Sequence, residues 1–301
     1  MTIVYTFIAE EQADPACDWS ICEMCRALEV SRSGFYDWQA RGPSQRDLED
    51  RVLAREIEAI WIASGETYGV PRMTAWLVKQ GFEVNHKRVR RIMRELGIEG
   101  ASGRRRVRTT IVDRGATAAG DHVRRNFDPP APDVAWCGDI TYLHTGEGWL
   151  YLATVIDLYS RRVIGWAAAD HMCVELVAEA LDMAVATRGG HVAAGVIFHS
   201  DRGSVYTSKT FGELCGSHGV VQSMGATGVC WDNSVAESWF GTMKRELAHR
   251  RRWATRADAR RDLIRWIEGW FNARRLHSSN NYNSPIDWEN MYYRRGDGIA
   301  A

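Results

Sequence analysis

The spacing of apolar residues divides this chain into a helical first third and a mixed α/β remainder. Residues 20–40 favour two short helices around a turn, with Ser31 or Ser33 placed to cap the second helix by accepting from its free N–H groups. This pattern is similar to a helix-turn-helix, although a small helical packing unit is an equal alternative. We assign residues 1–45 to this N-terminal helix-turn-helix-like segment.

Three further helices are predicted in the next part of the chain. They run from about 47 to 64, over 71–80 with Pro71 suited to a first helical position, and from near Asn85 onward. We assign residues 46–100 to a second helix-turn-helix-like domain, which we expect to bind DNA.

The helix that starts near Asn85 has one apolar stripe, formed by Val89, Ile92 and Met93. Its other faces are cationic, and their basic residues are Lys87, Arg88, Arg90, Arg91 and Arg94. A helix packed on one face and cationic elsewhere suits a DNA groove or backbone. A solvated charged surface is the alternative; we favour contact with nucleic acid.

A basic, Gly- and Ser-rich stretch follows, and we assign residues 101–127 to a linker. Its candidate DNA contacts are Arg104, Arg105 and Arg106. A second basic run begins at Arg245. The formal net charge of the 301 residues is zero, so any affinity for DNA depends on these local concentrations of charge.

From Val134 the pattern changes to apolar, β-branched and aromatic runs, which are typical of strands. The predicted strands are 134–145, 149–160, 161–170, 195–201 and 220–224, and the predicted helices are 174–187, 208–219, 234–248 and 256–275. Short connections make the first three strands antiparallel, and later α/β crossovers add parallel neighbours. We therefore predict an α/β, RNase H-like mixed five-stranded sheet flanked by helices over 128–250, and a C-terminal helical extension over 251–301.

Three acidic residues lie at positions of the predicted strand and helix order that could form one site. Asp139 lies within the first strand, Asp201 at the end of the fourth, and Glu237 in a later helix. If the first and fourth strands are adjacent, these carboxylates meet, and carboxylates are ligands that Mg²⁺ accepts. Two such ions support in-line phosphoryl transfer. Each acid also has a local alternative: pairing at a strand end, a turn, and a capping box with Ser234, respectively.

Other polar residues accompany the acids. Lys244 follows Glu237 by seven residues, so both project from one helix face, and Lys244 is a candidate contact for a DNA phosphate. An ordinary solvated lysine is the alternative. His199 and Asn233 flank the acids and are candidates to orient the ligands or the DNA, with a structural role as the alternative.

Composition limits the setting in which the chain works. No run of about 18 apolar residues occurs and no signal peptide is evident, which excludes a membrane protein by these criteria. The seven cysteines have no framework spacing, and the pair Cys22 and Cys25 lacks a zinc-binding counterpart. We expect reduced thiols in the cytoplasm, with the protein associated with the nucleoid.

Six segments in order resemble the OrfB-type transposases of insertion-sequence family three, whose core is similar to retroviral integrase. They are TYGVPRMTAWLVKQGFEVNHKRVRRIMRELGI, WCGDITYL, VIDLYSRRVIGW, FHSDRGSVYTS, WDNSVAESWFGTMKREL and FNARRLHSSNNYNSPIDWE. The resemblance implies that Asp139, Asp201 and Glu237 are a DDE triad and that Lys244 is the family's basic residue after the glutamate.

The same resemblance implies what the protein acts on. Expected cofactors are two Mg²⁺ or Mn²⁺ ions, and the expected reaction is strand cleavage and strand transfer at element ends. Expected partners are double-stranded DNA, as terminal inverted repeats and target, further copies of the chain on that DNA, and an upstream-frame protein as partner or fusion. A catalytically inactive regulator that only binds the element ends is the alternative from another class.

Overall fold

The computed structural model describes residues 2–101, 128–224 and 234–296. The chain begins with three helices, α1 (Thr2–Ala13), α2 (Ile21–Ala27) and α3 (Arg32–Arg41). The predicted helix pair is confirmed, and Ser31 is the cap, because its Oγ accepts from the Gly34 N–H at 3.3 Å. Helix α1 was not predicted. Its apolar residues are not confined to one side, since Ile8 is buried while Ile3 and Phe7 stay exposed, so it lacks a clear helical period.

The next three helices share a separate core. They are α4 (Gln45–Ala63), α5 (Val70–Lys79) and α6 (His86–Glu95), and they confirm the predicted elements. Asn85 caps α6 by accepting from the N–H groups of Lys87 and Arg88, both at 3.0 Å. The predicted apolar stripe of α6 is buried against Ile57 of α4 and Leu77 of α5. The stripe therefore packs the domain and leaves the cationic residues on the outside.

A mixed five-stranded sheet forms the centre of the second half. Its strands are β1 (Ala135–Thr145), β2 (Gly148–Asp157), β3 (Val163–Ala169), β4 (Ile197–Ser200) and β5 (Val221–Met224). Their order is β3-β2-β1-β4-β5, with antiparallel β1–β2 and β2–β3 pairs and parallel β1–β4 and β4–β5 pairs. The predicted RNase H-like sheet is confirmed, including the adjacency of the first and fourth strands.

Helices cover both faces of this sheet. On one face lie α7 (Val174–Thr187) and α8 (Lys209–Ser217), and on the other lie α9 (Ser234–Glu246) and α10 (Arg256–Ile264) with the π-helical turn Arg265–Asn272. Leu263 and Phe271 share a buried core with β1, β2 and α9. The predicted boundary at residue 250 therefore crosses a packed layer. Two 3₁₀ turns (Ala248–Arg250 and Ser278–Asn280) and α11 (Pro285–Arg294) are the last elements of the described residues.

The π-helical turn contacts the edge strand of the sheet through hydrogen bonds. It presents Asn272, whose Oδ1 accepts from the Val163 N–H at 3.0 Å and whose Nδ2 donates to the Val163 carbonyl at 2.9 Å. This side chain satisfies backbone groups of the edge strand β3 as another strand would. The sequence predicted one uninterrupted helix over 256–275 and did not distinguish this turn.

The helical domain of α4–α6 is joined to the C-terminal half by specific contacts. The Leu276 N–H donates to the Tyr68 hydroxyl at 2.8 Å, and Arg72 Nε donates to the Leu276 carbonyl at 2.9 Å. Tyr68 is wholly buried and contacts the Trp270 ring, with 5.6 Å between ring centroids. The two parts therefore form one packed body around Leu276.

The structure also bears on the predictions for the cysteines and for membrane-spanning helices. The described cysteines are all free thiols; Cys25 is buried and Cys22 is exposed. In the described ranges, none of the helices combines the length and apolar character required to cross a bilayer.

Candidate active site

The pairing of β1 with β4 sets the position of two acids. The two strands run parallel, and Cys137 of β1 pairs with His199 of β4. Asp139 lies two residues further along β1, and Asp201 lies two residues after His199, directly beyond the end of β4. The two aspartates therefore occupy corresponding places beside each other in the sheet, as the strand order predicted.

Asp139 lies deep in the cleft at this point and keeps part of its surface accessible. Burial, reinforced by the negative charges of Asp201 and Glu237, raises the pKa of Asp139 to about 7. The Ile140 N–H, which donates to Asp139 Oδ1 at 2.8 Å, and the Lys244 ammonium act in the opposite direction. Asp201, Glu237 and Lys244 thus all act electrostatically on the Asp139 carboxylate.

Asp201 is exposed, and its Oδ1 accepts from the Gly203 N–H at 3.0 Å. This hydrogen bond forms the turn that the sequence predicts as the alternative to metal binding for Asp201. One backbone hydrogen bond does not exhaust a carboxylate, which has about four acceptor positions. The turn therefore orients the Asp201 side chain and remains compatible with a second ligand.

Helix α9 carries Glu237 and Lys244 along the edge of this site. Trp239, Phe240 and Met243 bury one side of the helix in the core, while Glu237 is exposed. The described part of α9 begins at Ser234, directly after residues outside the description, so the capping box of Ser234 with Glu237 stays an alternative from the sequence.

Lys244 is half-buried beside the acids. Its Nζ lies 5.5 Å from the centre of the Tyr142 ring. Burial lowers the pKa of Lys244, and the Asp139 carboxylate opposes that shift. The side chain is therefore held in the cleft and is not an ordinary solvated lysine.

The acids are near one another but not arranged as a finished metal centre. Among the described residues, no group of three His, Cys, Asp or Glu side chains stands close enough to hold one ion. The stretch 225–233, which leads into α9, lies outside the described residues. Joint coordination by all three acids would therefore need the three carboxylates to come closer together.

Two further residues, His199 and Asn233, were predicted to flank the acids. His199 is only 1% exposed, and its Nδ1 lies 3.0 Å from Ser223 Oγ, as in the structural alternative given for it. Asn233 lies outside the described residues. Sequence reasoning missed Tyr206, which is buried near Asp139 and Asp201. Burial is the main cause that raises the pKa of Tyr206, and the negative charges of the two aspartates add to it. No motif signals this tyrosine.

The cationic residues of α6 separate into two groups. Arg88 pairs with Asp50 at 2.7 Å, and Arg91 pairs with Asp50 at 2.5 Å and with Glu95 at 2.9 Å. Both arginines are therefore partly neutralised by the domain itself. The exposed basic residues of the helix are Lys87, Arg90 and Arg94. The predicted contacts Arg104, Arg105 and Arg106 lie outside the described residues.

Comparison with known proteins fits this architecture. Residues 129–230 match the model of an integrase core domain, residues 218–285 a second integrase core domain model, and residues 47–106 an HTH-like domain. The chain is thus an integrase-core protein with an attached HTH-like domain.

Two relatives identify the family. A Mycobacterium tuberculosis protein named as a transposase for insertion sequence element IS986/IS6110 is 36% identical over 278 residues, covering 91% of this chain and 100% of the relative. Transposase InsF for insertion sequence IS3A of Escherichia coli is 36% identical over 288 residues, covering 95% and 98%. The chain belongs to this family, the transposases of insertion-sequence family three.

Solved structures resemble the chain more distantly. A simian T-cell lymphotropic virus intasome structure aligns at a TM-score of 0.46 and 15% identity, covering 59% of this chain and 60% of that chain. The HTLV-2 integrase catalytic core domain in complex with magnesium aligns at a TM-score of 0.41 and 15% identity, covering 53% and 98%.

Proposed function

We propose that this chain is a DDE transposase that binds element-end DNA and catalyses metal-dependent strand cleavage and strand transfer. The observation that carries the proposal is the placement of Asp139, within β1, and Asp201, directly after β4, where the pairing of these adjacent parallel strands ends. Glu237 and Lys244 act on the same Asp139 carboxylate from α9. Three acids and one lysine around one cleft suit a reaction at a phosphodiester.

The donor set fits divalent metal. Burial, followed by the negative charges of Asp201 and Glu237, raises the pKa of Asp139, and a bound cation would favour its charged form against both effects. Asp139, Asp201 and Glu237 would hold Mg²⁺ or Mn²⁺, as two ions, through hard carboxylate oxygens. Bound metal would supply the positive charge that activates the attacking oxygen and stabilises the leaving oxygen.

The protein's own groups would bind and align the DNA. Lys244 would bind a non-bridging phosphate oxygen beside the scissile bond, because its ammonium is held in the same cleft as the acids. Water would first attack a phosphodiester, and the 3′-OH so released would attack a second one. Both steps are in-line phosphoryl transfers, which need positioning and electrostatic stabilisation but no covalent protein intermediate.

The DNA partners follow from the helical domain. Lys87, Arg90 and Arg94 are exposed on α6 and would bind the terminal inverted repeats or their phosphates, with target DNA held at the cleft. Pairing two element ends favours a homo-oligomer on DNA, and an upstream-frame protein would join as partner or fusion. The place of action would be the cytoplasm, at the nucleoid. The proposed division at residues 45, 100, 127 and 250 divides the sequence into segments, and the packed core of the catalytic domain extends past residue 250 to Phe271.

Strand transfer on element-end DNA with Mg²⁺ tests the proposal. Asp201→Asn and Glu237→Gln should abolish cleavage and joining while DNA binding persists. Glu213→Gln is the matched control, because this glutamate is exposed on α8 and pairs only weakly with Lys209 at 3.5 Å. Full activity of Glu237→Gln would refute its assigned role.

A catalytically inactive regulator of the element ends is the second candidate. It is favoured by the absence, among the described residues, of three acids at ligating distance. It predicts DNA binding that Asp201→Asn leaves unchanged and no metal-dependent nicking by the wild-type protein. Gel analysis of the DNA products separates the two functions.

A further inference from the structure

An open groove of about 570 Å³ lies beside the acids, between β1 and the C-terminal end of α9. β4 pairs with β1 only as far as Cys137. Within the described residues, β1 from Asp139 to His144 therefore has no strand on the side that faces away from β2. Lys244 lines this groove and also acts on Asp139. The groove therefore continues the acid site along the free edge of β1.

The groove is lined by cationic and imidazole side chains. They are Lys244, Arg251, Arg252, His144 and His249, and none of the described lining residues carries a carboxylate. Neighbouring Arg250 instead pairs with Glu66 at 2.8 Å, whereas Arg251 and Arg252 form no ion pair within the described residues. In a chain with 38 basic and 38 acidic residues, this local excess of positive charge suits a polyanion.

Two exposed aromatic rings stand at this groove: Tyr142 lines it, and Trp149 lies beside it on β2, where it is paired with His144. Tyr142 is 57% exposed and Trp149 is 47% exposed, which is unusual for rings of this size. Trp149 makes edge-to-face contacts with Tyr142 at 5.0 Å and with His144 at 5.4 Å between ring centroids. These contacts hold the rings in place without stacking them face to face, so much of their surface stays available to a ligand.

The two arginines are fixed relative to these rings. Trp253, which follows them, is buried and forms a β-bridge with Thr145 at the end of β1. The Gly146 N–H donates to the Trp253 carbonyl at 2.9 Å, and Trp253 Nε1 donates to Asp262 at 2.9 Å. The backbone that carries the arginines is therefore anchored to the hairpin, which lowers the cost of ordering the groove when a ligand binds.

We propose that this groove binds unpaired nucleotides of the DNA strand that enters the acid site. Bases stack on Tyr142 and Trp149, while Arg251 and Arg252 bind the phosphates. A single strand fits better than a duplex, because paired bases stack on one another and do not offer their faces to protein rings. The inference rests on the proposed transposase function, since it assigns the substrate strand of the same site.

Binding of a dye-labelled thymidine hexamer to the full chain, followed by fluorescence anisotropy, tests the stacking surface. Trp149→Ala should weaken binding by about 5- to 150-fold, the range expected for loss of one stacked base. Trp149→Phe, which keeps a ring, should retain most of the affinity. Tyr293→Ala is the control, because Tyr293 is 47% exposed on α11 and lies outside the groove. Wild-type affinity in Trp149→Ala would overturn the proposal.

The salt dependence of the same binding tests the two arginines. The double variant Arg251→Gln/Arg252→Gln should reduce the slope of log K against log salt by about 1.4, which corresponds to two phosphates on a single strand. Arg250→Gln should leave the slope unchanged, because this arginine already pairs with Glu66. An equal slope in all three proteins would contradict the assignment of the phosphates.

Cleavage assays separate this inference from the proposed function. On a fully paired element end Trp149→Ala should cut more slowly than wild type, and mismatches that open the terminal pairs should restore most of the rate. Equal rates of Trp149→Ala and wild type on paired ends would refute the inference and leave the transposase function standing. Hexamer binding that depends on Trp149 in a protein that cuts neither substrate would refute the transposase function alone.

Discussion

The buried ion pair between Glu246 and Arg275 offers a sharp test of how the domains are held together. Glu246 ends α9, and its side chain is 5% exposed, while that of Arg275 is 2% exposed. Arg275 Nη2 donates to Glu246 Oε1 at 2.6 Å, and Arg275 Nε donates to Oε2 at 2.8 Å. The next residue, Leu276, bonds to Tyr68 of the helical domain. The pair thus joins α9 to the interdomain contact.

Glu246→Gln should lower the free energy of unfolding by about 3–5 kcal/mol, because it leaves the Arg275 guanidinium buried without its counter-charge. The double variant Glu246→Leu/Arg275→Met should be much less destabilised, since it removes both charges from the interior. Urea denaturation of wild-type, single-variant and double-variant proteins measures these differences as a double-mutant cycle.

The exposed pair of Glu66 with Arg250 is the matched control. Their side chains are 51% and 33% exposed, so Glu66→Gln should cost at most about 1 kcal/mol. The reasoning fails if Glu246→Gln costs no more than Glu66→Gln. It also fails if the double variant is destabilised by the sum of its single variants.

Three further outcomes are expected. Burial and the neighbouring arginines keep the pKa of His277 well below 6.5, so only the unfolded state gains its proton as the pH falls. Wild-type stability, compared with His277→Gln in urea denaturation, should fall by up to about 1.4 kcal/mol per pH unit below pH 6.5; parallel curves would contradict this. Gly165→Ala should cost about 1–3 kcal/mol in thermal or urea unfolding, because its Cβ would overlap the Ala180 carbonyl oxygen; a wild-type value would show that α7 yields. Arg90→Ala should reduce the slope of log K against log salt for DNA binding by about 0.9 without loss of stability. Arg88→Ala should destabilise the fold more than it weakens binding, because Arg88 pairs with Asp50. The opposite result would contradict the separation of the basic residues of α6 into a paired and an exposed group.

The local pattern of the sequence determined most of the secondary structure and the places of the acids. Alternation and apolar runs identified the five strands, and the stripe of Val89, Ile92 and Met93 identified the buried face of α6. These signals are readable because helix and strand periods are properties of consecutive residues. The order of strands then predicted that Asp139 and Asp201 lie close together, since β4 is the neighbour of β1 and Asp201 follows the end of β4 beside the middle of β1.

Only the tertiary structure decided which polar groups are engaged and which remain available. Asp50 of α4 takes up Arg88 and Arg91, and Asn272 of a π-helical turn satisfies the edge of β3, although these partners are far apart in the chain. The groove likewise combines a strand edge with arginines about 110 residues later. Charge pairing and burial depend on which residues become neighbours in space, and no local period records that choice.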